Sequence, residues 1–237
     1  MGLYVYAVTR SSHPLELDGV AGVGGSALRA VDARAGSLCA VVGEAPAEVS
    51  VAGGDMEAHH RVQEHLWRQG VTLPLGFGFL APDDEAVRAV LEQGAERFGE
   101  RLDAVTGKAE YNVKCLEDEE AGLRRVVRES EPVRRLNEAT RDGGGTYEER
   151  VELGRLVMDE LRARQAAMAE AVAGALRPHA AAERPSEPSR QYFANVSYLV
   201  DDARADAFGK AAEAVARELP EGAGLRVRGP LPPYSFA

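Results

Sequence analysis

The sequence predicts an α+β protein made of two small domains, each a sheet covered by helices. Three observations carry this reading. Short runs of β-branched and aromatic residues alternate with longer segments of helical apolar spacing in both halves of the chain. At 237 residues, 45% of them apolar, the chain can bury one large or two small cores without disulfide or metal support. No stretch repeats with a period of about 20–50 residues, which excludes a solenoid. The expected division is 1–107 and 108–237.

Residues 3–8 (Leu3, Tyr4, Val5, Tyr6, Ala7, Val8) read as a buried strand, closed by the polar turn from Arg10 to Pro14. A glycine-bearing loop, Gly19 to Gly25, follows. Apolar runs at 27–33 and 37–43 flank Ala35-Gly36 and read as a hairpin. Asp55 is placed to cap a helix over 56–69, with Val62 and Leu66 on its apolar face and Gly70 as its stop. Segment 70–80 is a strand pattern broken by Pro74, Gly76 and Gly78. Pro74 cannot donate to a ladder and belongs at an edge or bulge. Asp83, Asp84 and Glu85 suit the positive end of a helix over 83–102, in which Val87, Val90, Leu91, Phe98 and Leu102 keep helical spacing. Residues 108–116 alternate as a half-buried strand.

In the second half, helical spacing over 117–138 is interrupted at Pro132. Asp142-Gly143-Gly144-Gly145 is a flexible break. Thr146 with Glu149 forms a capping box that opens a long helix, 146–176. Leu153, Leu156, Val157, Leu161, Met168, Val172 and Leu176 mark one stripe along it. Residues 178–190, with Pro178, Pro185 and Pro188 among polar filler, read as a linker. A strand at 191–200, a helix from Asp201 or Asp202 to Leu219 and a strand at 225–229 complete the pattern. The outcome is a pair of ferredoxin-like variants, each with helices on one face of its sheet.

Charge and cysteine content narrow the function. Lys and Arg number 28 against 38 Asp and Glu, a net charge of −10, which argues against a grip on nucleic acid or an anionic membrane. No apolar run approaches the roughly 18 residues of a membrane span, and the first ten residues carry no secretory signal pattern. Cys39 and Cys115 form no CxxC and fit a reducing cytoplasm as small buried residues. Lysines are only three, at 108, 114 and 210, and isoleucine is absent, so the many arginines reflect coding bias and are a poor functional flag.

A search for chemistry yields little. His59, His60 and His65 miss the HExxH spacing that brings two histidines to one metal. Gly22-Val-Gly-Gly25 and Gly76-Phe-Gly78 complete neither phosphate-loop pattern. The acid runs at 83–85 and 117–120 fall at helix starts and lack EF-hand spacing. His60 and Glu64, four apart on one helix face, are the best acid–base pair. They define the alternative reading, a small-molecule-binding or enzymatic α+β protein. A third reading is an adaptor that uses the long helix and forms dimers. Catalytic residues, metal and cofactor are all expected to be absent.

Several segments resemble the gas vesicle protein F/L family. Gly70-Val-Thr-Leu-Pro-Leu-Gly-Phe-Gly-Phe-Leu80, an acid-started helix and Glu110-Tyr-Asn-Val-Lys-Cys115 follow that family's order. The opening Leu3-Tyr4-Val5-Tyr6-Ala7-Val8, the helix at His59-His60-Arg61-Val62 and the ending Gly229-Pro-Leu-Pro-Pro-Tyr-Ser-Phe236 are similar as well. Gly76 stands where the family usually has Arg or Pro, and Leu231 where it often has Trp. The resemblance implies a cytoplasmic, vesicle-associated accessory or minor structural protein without enzymatic activity. Its implied partners are the small, very hydrophobic gas vesicle shell protein and other accessory proteins, with no nucleic acid and no membrane. Leu73, Pro74, Leu75, Phe77 and Phe79 form the expected contact region, since an irregular edge with two phenylalanines offers apolar anchors.

Overall fold

The computed structural model describes residues 2–50, 54–189 and 191–237. Met1 and residues 51–53 of the expected first domain, and Arg190 of the expected linker, lie outside the described residues. Two compact units are distinguished: residues 1–110 with 229–237, and residues 111–228.

The first unit contains strands β1 (Leu3–Arg10), β2 (Leu28–Asp32), β3 (Leu38–Glu44), β4 (Thr72–Pro74) and β5 (Leu80–Ala81), and helices α1 (Gly54–Gln69), α2 (Asp84–Gln93) and α3 (Ala95–Val105). Its sheet runs β2-β3-β1-β4, and β5 also pairs β1. β1 lies antiparallel to β3, β4 and β5. Tyr4 and Tyr6 pack with Val62 and Leu66 of α1, whereas Val5 and Val8 lie toward Val87, Leu91 and Phe98 of α2 and α3. Alternate residues of a strand face opposite ways, so this sheet is covered on both faces, not on one as expected. That explains why residues 3–8 read as a continuous apolar run.

Local signals account for the boundaries. Asp55 lies inside the first turn of α1 and accepts a hydrogen bond from the Ser50 N–H at 3.1 Å. Asp83 caps α2, accepting from Ala86 N–H at 2.9 Å. The helix expected over 83–102 is two helices, split at Gly94. A Cβ there would meet the Phe98 ring at 2.6 Å, so the break and the packing of Phe98 need the missing side chain.

The second unit follows β6 (Lys108–Glu117) with α4 (Glu119–Glu129), α5 (Glu131–Thr140), α6 (Tyr147–Leu176), β7 (Ala182–Ser186), β8 (Ala194–Asp201), α7 (Ala205–Glu218) and β9 (Ala223–Leu231). Its sheet order is β7-β8-β6-β9. The expected linker 178–190 is a correction: its centre is β7, antiparallel to β8 with Ala182 opposite Leu199 and Ser186 opposite Asn195. Proline and charge are tolerated there because β7 is an edge strand, where they discourage further pairing. With β7 counted, the second unit is βαββαβ in the ferredoxin-like order. The first unit repeats that order, with the loop between β1 and β2 replacing the first crossover helix.

The capping box at Thr146 and Glu149 is present, with bonds of 3.1 and 2.7 Å. The single stripe expected on α6 serves two cores. Leu153, Leu156, Val157 and Leu161 pack with Val126 and Val133 of α4 and α5. Val172 and Leu176 pack on the sheet and α7 with Tyr198 and Phe208. Both cysteines are free and buried, and burial pushes each thiol up to about 11.

The last nine residues belong by contact to the first unit, whereas the expected boundary leaves them in the second. Ser235 donates to the carboxylate of buried Glu110 from its N–H at 2.7 Å and its hydroxyl at 2.8 Å. That pairing satisfies a charge that burial would otherwise penalise.

Core and cap make different demands. Phe208→Ala removes a fully buried ring and is expected to cost about 3–5 kcal/mol. Thr146→Ala removes one capping bond at about 1 kcal/mol. Urea denaturation followed by circular dichroism measures both, and equal losses would contradict this ranking.

Candidate interaction surface

The segment between β4 and β5 is irregular in backbone but fixed in place. Leu75 N–H donates to Tyr6 O at 2.9 Å, and Val5 N–H donates to Phe79 O at 2.9 Å. Gln63 of α1 donates from Nε2 to Tyr6 O at 3.0 Å and to Leu75 O at 2.6 Å. Gly78 N–H donates to the Tyr4 hydroxyl at 2.8 Å. Gly78 has φ +82°, a left-handed conformation that glycine adopts without a Cβ penalty.

Tyr4 accepts from Gly78, so its own O–H is free to donate to His59 Nδ1, 3.0 Å away. That bond needs a neutral imidazole with its proton on Nε2. Burial agrees, lowering the His59 pKa to about 4, with the neighbouring His60 adding to the effect. Phe77 completes the cluster, its ring meeting His59 edge-on at 5.5 Å and Tyr4 at 6.2 Å.

The expected contact residues therefore part company. Leu73 and Pro74 are buried in β4, the edge strand beside β1. Phe77 turns inward to the Tyr4–His59 cluster. Phe79 remains 48% exposed, beside Leu80 at 53% and Val90 of α2 at 49%. These last two escape sequence reasoning, because Leu80 reads as strand and Val90 as helix core, and only the fold brings them to one rim. Beneath them is a cavity of about 170 Å³, lined by apolar side chains that include Val5, Val8, Leu75, Val87 and Leu91.

His60 and Glu64 are not brought together as a pair. His60 Nδ1 faces the Tyr234 hydroxyl at 3.3 Å, and Glu64 bridges to Arg68 at 3.2 Å. Among the described residues, no group of three or more His, Cys, Asp and Glu is placed to hold a metal ion. No helix among them is long and apolar enough to cross a membrane.

Fold and surface together define a two-unit α+β protein with matching sheet orders and an apolar recess under a pinned loop. The chain belongs to the gas vesicle synthesis protein GvpL/GvpF family, which it matches over residues 2–237. It is 40% identical to gas vesicle protein F of Streptomyces sp. (strain CB03234), covering all of this chain and 99% of that protein. Gas vesicle protein L of the same strain is 30% identical, with 99% and 92% covered. The crystal structure of GvpF from Anabaena sp. PCC7120 superimposes with a TM-score of 0.85 at 21% identity, over all of this chain and 98% of that one. Membership places the chain among the proteins of gas vesicle formation.

Protonation of His59 would break the Tyr4 bond. Its folded pKa, about 4, lies below the ordinary 6.5, so the unfolded chain binds the extra proton between these values. His59 therefore stabilises the fold less as pH falls from about 6.5 toward 4. Denaturation midpoints at pH 7 and pH 4.5 are expected to differ more in the native protein than in His59→Gln, and equal differences would refute this role.

Proposed function

We propose that the chain binds the hydrophobic gas vesicle shell protein during assembly and limits its aggregation, without transforming any compound. The observation that supports this is the apolar recess with Phe79, Leu80 and Val90 exposed at its rim. A cavity near 150 Å³ is large enough to take a benzene ring, so this one has room for a single large apolar side chain of the client. Exposed apolar surface on a newly made shell subunit drives aggregation unless covered. A recess backed by a pinned loop covers it at low ordering cost, since Phe79 is held before the client arrives.

In this reading Leu75 and Phe79 touch the client. Phe77 supports the loop from within, and Leu73 and Pro74 anchor it to the sheet. The first unit, residues 1–110 with 229–237, is the client-binding one. The net charge of −10 keeps the complex dispersed. Other accessory proteins of the vesicle are further partners, and the site of action is the cytoplasm at the growing vesicle.

Coexpression with the small shell protein tests the reading. The native chain is expected to co-purify with soluble shell protein. Phe79→Ser combined with Leu80→Ser, both at exposed positions, is expected to lose most of it without unfolding. Undiminished co-purification by the double variant rules this surface out, and precipitation of shell protein beside the native chain rules out the proposed role.

A further inference from the structure

A second apolar surface lies on the second unit. The helical azimuth that buries Val172 and Leu176 against the sheet continues toward the N-terminus of α6 through Met158, Gly154, Val151 and Tyr147. There it is uncovered: Tyr147 is 75% exposed, Val151 55% and Met158 43%. The adjoining side of this half is already engaged, through Leu153, Leu156, Val157 and Leu161.

Two charges flank the uncovered stripe. Glu148 lies beside its first residue and Arg162 follows its last, and neither has an ion-pair partner among the described residues. Arg155, which lies between them, is held by Glu152 at 2.5 Å and Asp159 at 2.8 Å. Glu148 and Arg162 are 14 residues apart, about 21 Å along the helix, and lie on the same flank of the stripe. Gly154, near the middle, has open space where a Cβ would point. Glycine at a helix interior costs about 1 kcal/mol relative to alanine, and no contact among the described residues requires it here.

Beside Arg162 a cavity of about 420 Å³ opens between α6 and the chain before β8, with Glu117, Arg162, Gln165, Tyr192 and Phe193 among its lining residues. An exposed tyrosine at one end of the stripe and an aromatic-walled recess at the other form a knob and a hole on one helix face.

We infer that this face takes a second copy of the chain, with the two α6 helices antiparallel about a two-fold axis beside Gly154. In that arrangement Val151 meets the Met158 position of the other copy, and Tyr147 enters the recess beside the other Arg162. Glu148 of each copy lies against Arg162 of the other, so one pairing satisfies four otherwise unpaired charges. The two Arg155 side chains meet near the axis with their charge already neutralised. Charge complementarity selects the occupant: opposite unpaired charges at equal distances from one centre match an antiparallel copy of the same helix.

This inference stands apart from the shell-protein reading and is tested on the purified full chain alone. Sedimentation velocity from about 10 µM to about 1 mM, the weak end of specific association, is expected to show a growing dimer. Glu148→Arg or Arg162→Glu alone places like charges together and is expected to weaken dimerisation by about tenfold. The two changes combined restore it to within about threefold. Tyr147→Ala is expected to weaken the dimer while leaving circular dichroism unchanged. A monomer at every concentration overturns the inference, as does a dimer indifferent to these variants or a double reversal that fails to rescue.

Discussion

Burial of β1 from both sides is the constraint on which the first unit depends. A central strand covered by α1 on one face and by α2 and α3 on the other has no water for its backbone groups, and each must find a partner in the protein. On its other side β1 pairs β5 only as far as Tyr4 and β4 only from Ala7, so Val5 and Tyr6 need other partners there. Phe79 O accepts from Val5 N–H, and Leu75 N–H and the Gln63 amide donate to Tyr6 O. The bonds that rescue a buried irregularity are thus the bonds that fix the loop. Presentation of Phe79 and Leu80 is a by-product of satisfying the core, and no separate scaffold is needed.

The same logic makes His59 a structural histidine. It is sealed between two tyrosines and a phenylalanine, and it accepts the Tyr4 hydroxyl in its neutral form. Its neighbour His60 lies at the surface against Tyr234, within the returning C-terminal tail. Two adjacent histidines thus have unlike duties, since a helix turns by about 100° between them. The ending Pro232-Pro233-Tyr234-Ser235 finds its reason nearby. Its two prolines are buried, and Ser235 answers Glu110.

Local chemistry was legible where it is local. Asp83, the Thr146–Glu149 box and the apolar run at 3–8 declare their elements through capping and burial, which depend on residues a few positions away. The edge strand β7 was hidden because the composition that protects an exposed edge is also that of a linker. The fate of the phenylalanines was hidden too. Residues 77 and 79 would share a face in a regular strand, but the left-handed Gly78 between them sends one ring to the core and the other to the surface. Leu80 and Val90 meet only through the pairing of β5 with β1 and the packing of α2 on the sheet. That long-range arrangement leaves no periodic trace in either segment.

Length explains why the second unit carries an uncovered stripe. α6 has 30 residues, about 45 Å, while a strand of eight residues such as β8 spans about 27 Å. A helix this much longer than the sheet it covers must leave that sheet behind, and its N-terminal half then needs another core. α4 and α5 supply one, but they approach from a different azimuth, so the sheet-facing azimuth stays apolar and open over Tyr147, Val151 and Met158. Shortening the helix would remove the problem, yet the capping box starts it deliberately at Thr146. These two apolar surfaces accordingly have different origins and shapes. One is a concave recess under a loop that the core must hold still, suited to a protruding side chain. The other is a convex stripe ending in a knob and a hole, suited to a copy of itself.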